Sequence, residues 1–215
     1  EMKKYFYEET GMYIDWDQLK RLPEIDTLID IGVGADGTPD LYKRFKDKAL
    51  VLIDPLDEAE TYFNKYMSNY NAYFFKTALG DIDEEVTINV EQEIGRSTIM
   101  NVADINFEGK PVDKRGIAVK RLDDVLNKMQ LSNFGIKIDT EGYELKIIRG
   151  STETLKKTKF VIAEVRHNHE SFKGVYKLHE FIREMHANGF VLSMILTAKP
   201  FIADLCFERI DELFN

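Results

Sequence analysis

The first 81 residues hold three glycines and three acids whose spacing could do chemistry. Thr27-Leu-Ile-Asp-Ile-Gly32-Val-Gly34-Ala-Asp-Gly37 runs from an apolar, β-rich stretch through Asp30 into a turn without side chains at positions 32, 34 and 37. Glycine permits positive φ and lets a ligand approach backbone N–H groups that a Cβ would shield. Read literally, the spacing matches the dinucleotide fingerprint G-x-G-x-x-G, with Asp54 about 20 residues on, where a ribose-binding carboxylate is expected. Two neighbours oppose a pyrophosphate. Thr38 as N-cap and Pro39 at the first helical position start the helix only after the third glycine, whereas the dinucleotide motif needs its helix N-terminus close to the phosphates. The charge of Asp30 would repel a diphosphate and attract a cation. S-adenosylmethionine has an ammonium, a sulfonium and no phosphate, and suits an acidic turn. Asp54 would then accept from both ribose hydroxyls, and Asp81, in Ala78-Leu79-Gly80-Asp81, from the adenine amine. Alone, Asp81 reads as a turn residue of an acidic hairpin. Three strand-end acids in succession fit the way open parallel sheets bind ligands at the carboxyl ends of their strands.

Those acids need strands to carry them. Short runs rich in Val, Ile and Phe predict strands at Thr27 to Ile31, Ala49 to Asp54, Ala72 to Thr77, Phe134 to Asp139, Phe160 to Val165, Phe190 to Ile195 and Ile202 to Phe207. Between them, Asp57 to Met67 places Ala59, Tyr62, Phe63 and Tyr66 at helical spacing, and Val175 to Asn188 does the same before Gly189. A further helix is expected over Leu122 to Met129. Strands alternating with helices predict an α/β fold with a mainly parallel seven-stranded sheet and helices on both faces. The stretch 86–119 breaks the rhythm: Val86, Ile88 and Val90 alternate, Gly95-Arg96-Ser97-Thr98 is polar, and Ile117 to Val119 is extended. It reads as a β-rich insertion near the ligand end of the sheet, where such loops shape specificity. Residues 1–24 read as an N-terminal helical appendage, with Asp15 as a cap and Pro23 as a stop, and residues 25–215 as one domain.

Composition removes several partners. At 215 residues and 44% hydrophobic content the chain can bury one core. A formal charge of -9 disfavours a nucleic-acid backbone, whose binding rests on Lys and Arg. A single cysteine, Cys206, excludes an intrachain disulfide, and the absence of an 18-residue apolar run argues against a membrane span. Cytoplasm is the simplest expected address.

The stretch Ile136-Lys-Ile-Asp139-Thr-Glu141-Gly142-Tyr-Glu144-Leu-Lys-Ile-Ile-Arg-Gly150 resembles the L-K-I-D-x-E-G-x-E…L-x-G signature of FkbM-type S-adenosylmethionine-dependent methyltransferases. Asp30 with Gly32 and Gly37, Ala78 to Asp81, Leu122 to Leu126 and Glu164 are similar in the same order, over roughly residues 25–205. Position 54 is Asp where the family more often shows Glu before Pro. The resemblance implies a Rossmann-like class I methyltransferase fold, and methyl transfer to a hydroxyl of a sugar, glycan or polyketide-like small molecule. It sets the strand ending at Asp139 beside the first strand and so faces Asp139 and Glu141 toward the methyl donor. A hydroxyl acceptor needs a base within reach or a metal that lowers its pKa. Under this resemblance Asp139 and Glu164 flank the acceptor and His167 serves as base or ligand. Asp139 and Glu164 would also suit Mg²⁺ or Mn²⁺. Glu141 and Glu144 have a plainer reading as acids favoured by a helix N-terminus. An NAD(P)-dependent oxidoreductase, or a binding module that has kept the fold and lost the reaction, is the alternative.

Overall fold

A computed structural model describes residues 16–102, 113–167, 172–198 and 201–213. The strands expected from apolar runs form, and the burial explains their composition. β1 (Thr27–Ile31) is buried at every position, because a central parallel strand has helices or strands over both faces and no side left for polar alternation. After it come α1 (Pro39–Arg44), β2 (Ala49–Ile53), α2 (Asp57–Tyr66) and β3 (Ala72–Phe75). Pro39 does stand at the start of α1, although Thr38 makes no side-chain cap bond.

The insertion is a small sheet of its own. β4 (Ala78–Leu79), β5 (Glu84–Val90), β6 (Asn101–Val102) and β7 (Asp113–Lys120) follow in order. β7 pairs antiparallel with β5 and parallel with β4. Ile88, Val90, Ile117 and Val119 pack with Leu56, Ala78 and Tyr143 into a satellite core, which holds this sheet against the main domain. Its bounds run slightly past the expected 86–119.

α3 (Leu122–Leu126) is shorter than expected. β8 (Phe134–Ile138), α4 (Glu144–Arg149), α5 (Thr152–Leu155), β9 (Thr158–Arg166), β10 (Phe172–Lys173), α6 (Leu178–Ala187), β11 (Phe190–Ala198), β12 (Ile202–Arg209) and α7 (Ile210–Leu213) complete the chain. The main sheet has seven strands in the order β11-β12-β9-β8-β1-β2-β3. β12 runs antiparallel to both its neighbours, and the other pairs are parallel. β1 therefore lies between β2 and β8, so the turn after Ile31 and the end of β8 meet at the carboxyl edge of the sheet. That edge is a topological switch point, where ligands of open α/β sheets bind. β10 pairs with β6 and ties the insertion to the segment that follows β9.

Two large apolar clusters cover the two faces of the sheet, one around Ile29, Ile136 and Phe181 and the other around Leu28, Leu50 and Phe160. α6 is shorter than the expected Val175 to Asn188 and buries a different stripe: of Val175, Leu178, Ile182 and Met185 only Met185 is buried, Phe181 takes the central place and Ile182 is exposed, as are His179 and His186. Trp16–Arg21 forms a short 3-10 helix rather than an α-helix. Residues 1–15 of the expected appendage, with the proposed cap Asp15, lie outside the described residues.

Candidate active site

The glycine turn is shaped by its neighbour β8. Asp139 donates its N–H to the Ile31 carbonyl at 2.9 Å, extending the β1–β8 pairing by one residue. Gly32 sits at φ +82°, and a Cβ there would stand 1.8 Å from the Asp139 carbonyl oxygen. Only glycine lets the two strand ends close to this distance. Gly34, also left-handed, donates its N–H to Asp54 Oδ2 at 2.9 Å, and Leu56 N–H donates to Oδ1 at 2.8 Å. Burial pushes the Asp54 carboxyl up, with the Gly34 and Leu56 N–H groups pulling it down. The acid at the end of β2 therefore braces the glycine turn and faces the same space.

That space is a cavity of about 550 Å³ counting its open side. Gly32, Gly34 and Asp54 form one wall, and Asp139, Thr140 and Tyr143 another. Leu56, Ala78 and Leu79 make an apolar end. The insertion supplies Ile94, Gly95 and Ser97, and Gly95 Cα lies 3.6 Å from where a Gly34 Cβ would be. A roof this close to the turn leaves a slot for a flat or extended ligand.

Three residues assigned to the cofactor from sequence stand outside these walls. Asp30 is 1% exposed and points beneath the turn, where the Tyr42 hydroxyl donates to its Oδ2. Burial pushes its carboxyl up, against the pull of Lys137 and Tyr42. Its charge is therefore offset from below, which weakens the electrostatic argument that an exposed acid at the turn selects a cationic ligand. Gly37 packs against Tyr42 and Tyr62. Asp81 is half-buried in the turn between β4 and β5.

Beside the cavity is an acidic cluster. One carboxylate oxygen each of Asp139, Glu141 and Glu164 lies within 4.8 Å of the others. Lys137, in the middle of an apolar strand, donates to Asp139 Oδ2 at 2.9 Å. Burial would lower its ammonium pKa, but Asp139 and Asp30 hold it well above the usual lysine range, so it is charged. Arg166 pairs with Glu141. His167 follows β9, exposed, with its backbone N–H on the Phe201 carbonyl at 3.1 Å. The third acid grouped with Asp139 and Glu164 is thus Glu141, and His167 is not part of this cluster. His169 and Asn168 lie outside the described residues. The cluster offers hard oxygen donors, but two cations already offset two of its three charges. A divalent ion would have to displace them, and the donor set fits one poorly.

A family profile for the methyltransferase FkbM domain matches residues 30–192. The chain belongs to this family. It is an S-adenosylmethionine-dependent methyltransferase, and the dinucleotide reading of the glycine turn falls away. Among solved structures, a ribosomal protein L11 methylase from Lactobacillus delbrueckii subsp. bulgaricus is similar in fold. Its TM-score is 0.50 at 13% identity, over 96% of this chain and 81% of that one. A SAM-dependent methyltransferase from Aquifex aeolicus has a TM-score of 0.48 at 14% identity, over 92% and 90%. No curated protein matches the sequence significantly.

One residue of the FkbM domain site, Lys137, and one contact, that of Thr98 in the polar stretch of the insertion, were outside the sequence reading. Lys137 had a signal: a charged residue inside the run Phe134 to Ile138 must have partners if the strand is buried. Thr98 had none, since its hydroxyl reaches the Glu141 carbonyl at 2.7 Å across 43 residues. Arg96, by contrast, is exposed and paired with Glu93.

Proposed function

We propose that the protein transfers the methyl group of S-adenosylmethionine to a hydroxyl of a small-molecule acceptor, with Asp139 taking the hydroxyl proton. The observation that carries this is that Asp139 belongs both to the cavity wall and to the acidic cluster. It is the clustered carboxylate that faces the cofactor space. Gly32 and Gly34 leave room for the methionine part, Asp54 accepts from the ribose hydroxyls in place of a backbone N–H, and Leu56, Ala78 and Leu79 pack the adenine. Asp30 and Gly37 support the turn from outside the cavity, and Asp81, in the bend that follows the cavity-lining Ala78 and Leu79, accepts from the adenine amine.

Methyl transfer is an in-line displacement: the acceptor oxygen attacks the methyl carbon, the carbon–sulfur bond breaks, and the sulfonium leaves as a neutral thioether. Alignment supplies much of the rate. Asp139 Oδ2 is held by Lys137, which leaves Oδ1 to accept the O–H of the acceptor and then its proton. Glu164 orients the acceptor from β9, and His167, exposed just after β9, is assigned to the acceptor side with it. This chemistry runs on the protein's own groups. With no helix long and apolar enough to cross a membrane among the described residues and a net charge of -9, a small polar acceptor suits the protein better than a phosphate backbone.

Calorimetric titration with S-adenosylhomocysteine, S-adenosylmethionine and NADH, followed by labelled methyl transfer to a panel of hydroxyl compounds, tests the reading. Binding of the first two and methyl ether products are expected. Tight NADH binding without either would sink the cofactor assignment, and N- or C-methylated products would sink the acceptor class.

A further inference from the structure

Glu144 takes no part in the chemistry proposed above, yet its surroundings are unusual for an acid. It is the first residue of α4 and 1% exposed. Its Oε1 accepts from the Thr140 N–H, the Thr140 hydroxyl and the Gly142 N–H, each at 3.0 Å. Its Oε2 accepts from the Tyr176 hydroxyl at 2.8 Å. A glutamate that served only the helix dipole would point to solvent at the first turn. This one folds back over the loop that precedes its helix.

The loop needs such a brace. Glu141 has φ +53° and Gly142 φ +107°, and a left-handed glutamate persists only where its surroundings impose it. The three donors that Glu144 gathers lie on either side of Glu141, so the bonds close the turn around that residue. Closure sends the Glu141 side chain to Asp139 and Glu164 and keeps Thr140 in the cavity wall. Tyr176 lies just before α6, beyond the β10 strand that pairs with the insertion, and orients the free oxygen of the brace.

We propose that Glu144 is a positioning residue for methyl transfer: its buried carboxylate sets the left-handed turn that places Glu141 in the acidic cluster and Thr140 against the cofactor. The two glutamates of the D-x-E-G-x-E signature thus divide the work, one entering the acidic cluster and one holding the turn. The proposal rests on the cofactor reading of the cavity.

The test compares the wild type with Glu144→Gln and Glu144→Ala by S-adenosylhomocysteine titration, thermal melting and residue-resolved amide exchange. Glutamine can still accept from the turn and donate to the Tyr176 oxygen, so its affinity is expected within about threefold of wild type. Alanine leaves four donors, three of them in the turn, without their acceptor; affinity falls by about tenfold or more, with exchange speeding up at Thr140 and Gly142 and not across the sheet. Wild-type affinity and unchanged turn exchange in a folded Glu144→Ala protein overturn the proposal alone. A wild type that binds no S-adenosylhomocysteine overturns the cavity reading with it. Should Glu144→Ala fail to fold, Tyr176→Phe carries the test, with exchange expected to rise at the turn; no rise there overturns the proposal.

Discussion

At the scale of single residues, the carboxylates of this enzyme separate by what surrounds them rather than by type. Asp30 is buried with one oxygen held by Tyr42, Glu144 is buried with both oxygens bonded, Asp54 is shared between a glycine turn and a cavity, and Asp139 joins the cavity to the acidic cluster. Asp139→Asn removes the proton acceptor and keeps the shape, so labelled methyl transfer should drop by about 10²-fold or more, with S-adenosylhomocysteine affinity within a few-fold of wild type by calorimetry. Full activity would remove its role as base. Cys206 makes a different prediction. Burial among apolar side chains pushes its thiol up to about 12, so at pH 8 it is protonated and shielded. It should react with a disulfide reagent only after denaturant is added; rapid labelling of the native protein would contradict the packing described.

At the scale of elements, the site is a meeting of three strand ends and one insertion. Gly32→Ala would place a methyl group against the Asp139 carbonyl in a left-handed backbone position. The β1 and β8 ends must then separate, at a cost of about 2–4 kcal/mol, and denaturant melts should show that loss together with weakened S-adenosylhomocysteine binding. The insertion is tied to the same turn by one hydroxyl. Thr98 is 1% exposed, donates to the Glu141 carbonyl and accepts the Met100 N–H at 3.0 Å. Thr98→Val keeps its shape and removes both bonds, so a stability loss of about 1–3 kcal/mol is expected. S-adenosylhomocysteine affinity should fall too, because Gly95 and Ser97, just before it, form the roof. Unchanged affinity would mean that the roof stands without that tie.

At the scale of the whole molecule, buried and surface acids pull stability in opposite directions with pH. Asp30, Asp54 and Glu144 have carboxyls raised by burial. A group whose folded pKa lies above its unfolded value loses stability as pH rises from the unfolded value through the folded one. Exposed acids paired with cations or backbone N–H groups, such as Asp57, Glu58 and Glu180, are lowered, and their contribution is lost as pH falls below about 4. Thermal melting should therefore peak at about pH 5–6 and decline toward pH 8; a melting temperature that climbs steadily to pH 8 would show that the buried acids do not dominate. The sequence by itself determined the alternation of strands and helices, the glycine turn and the family signature, because apolar periodicity, backbone permissiveness and local motifs act over a few residues. Tertiary structure decided which acids meet. The order β2-β1-β8-β9 brings Asp54, Asp139 and Glu164 to one edge and leaves Asp30 under the turn beside Lys137. A left-handed Glu141, held by Glu144 and Thr98, enters the cluster where His167 was expected. Those outcomes depend on register, on side-chain direction and on contacts between residues far apart in the chain, and spacing along the sequence carries none of the three.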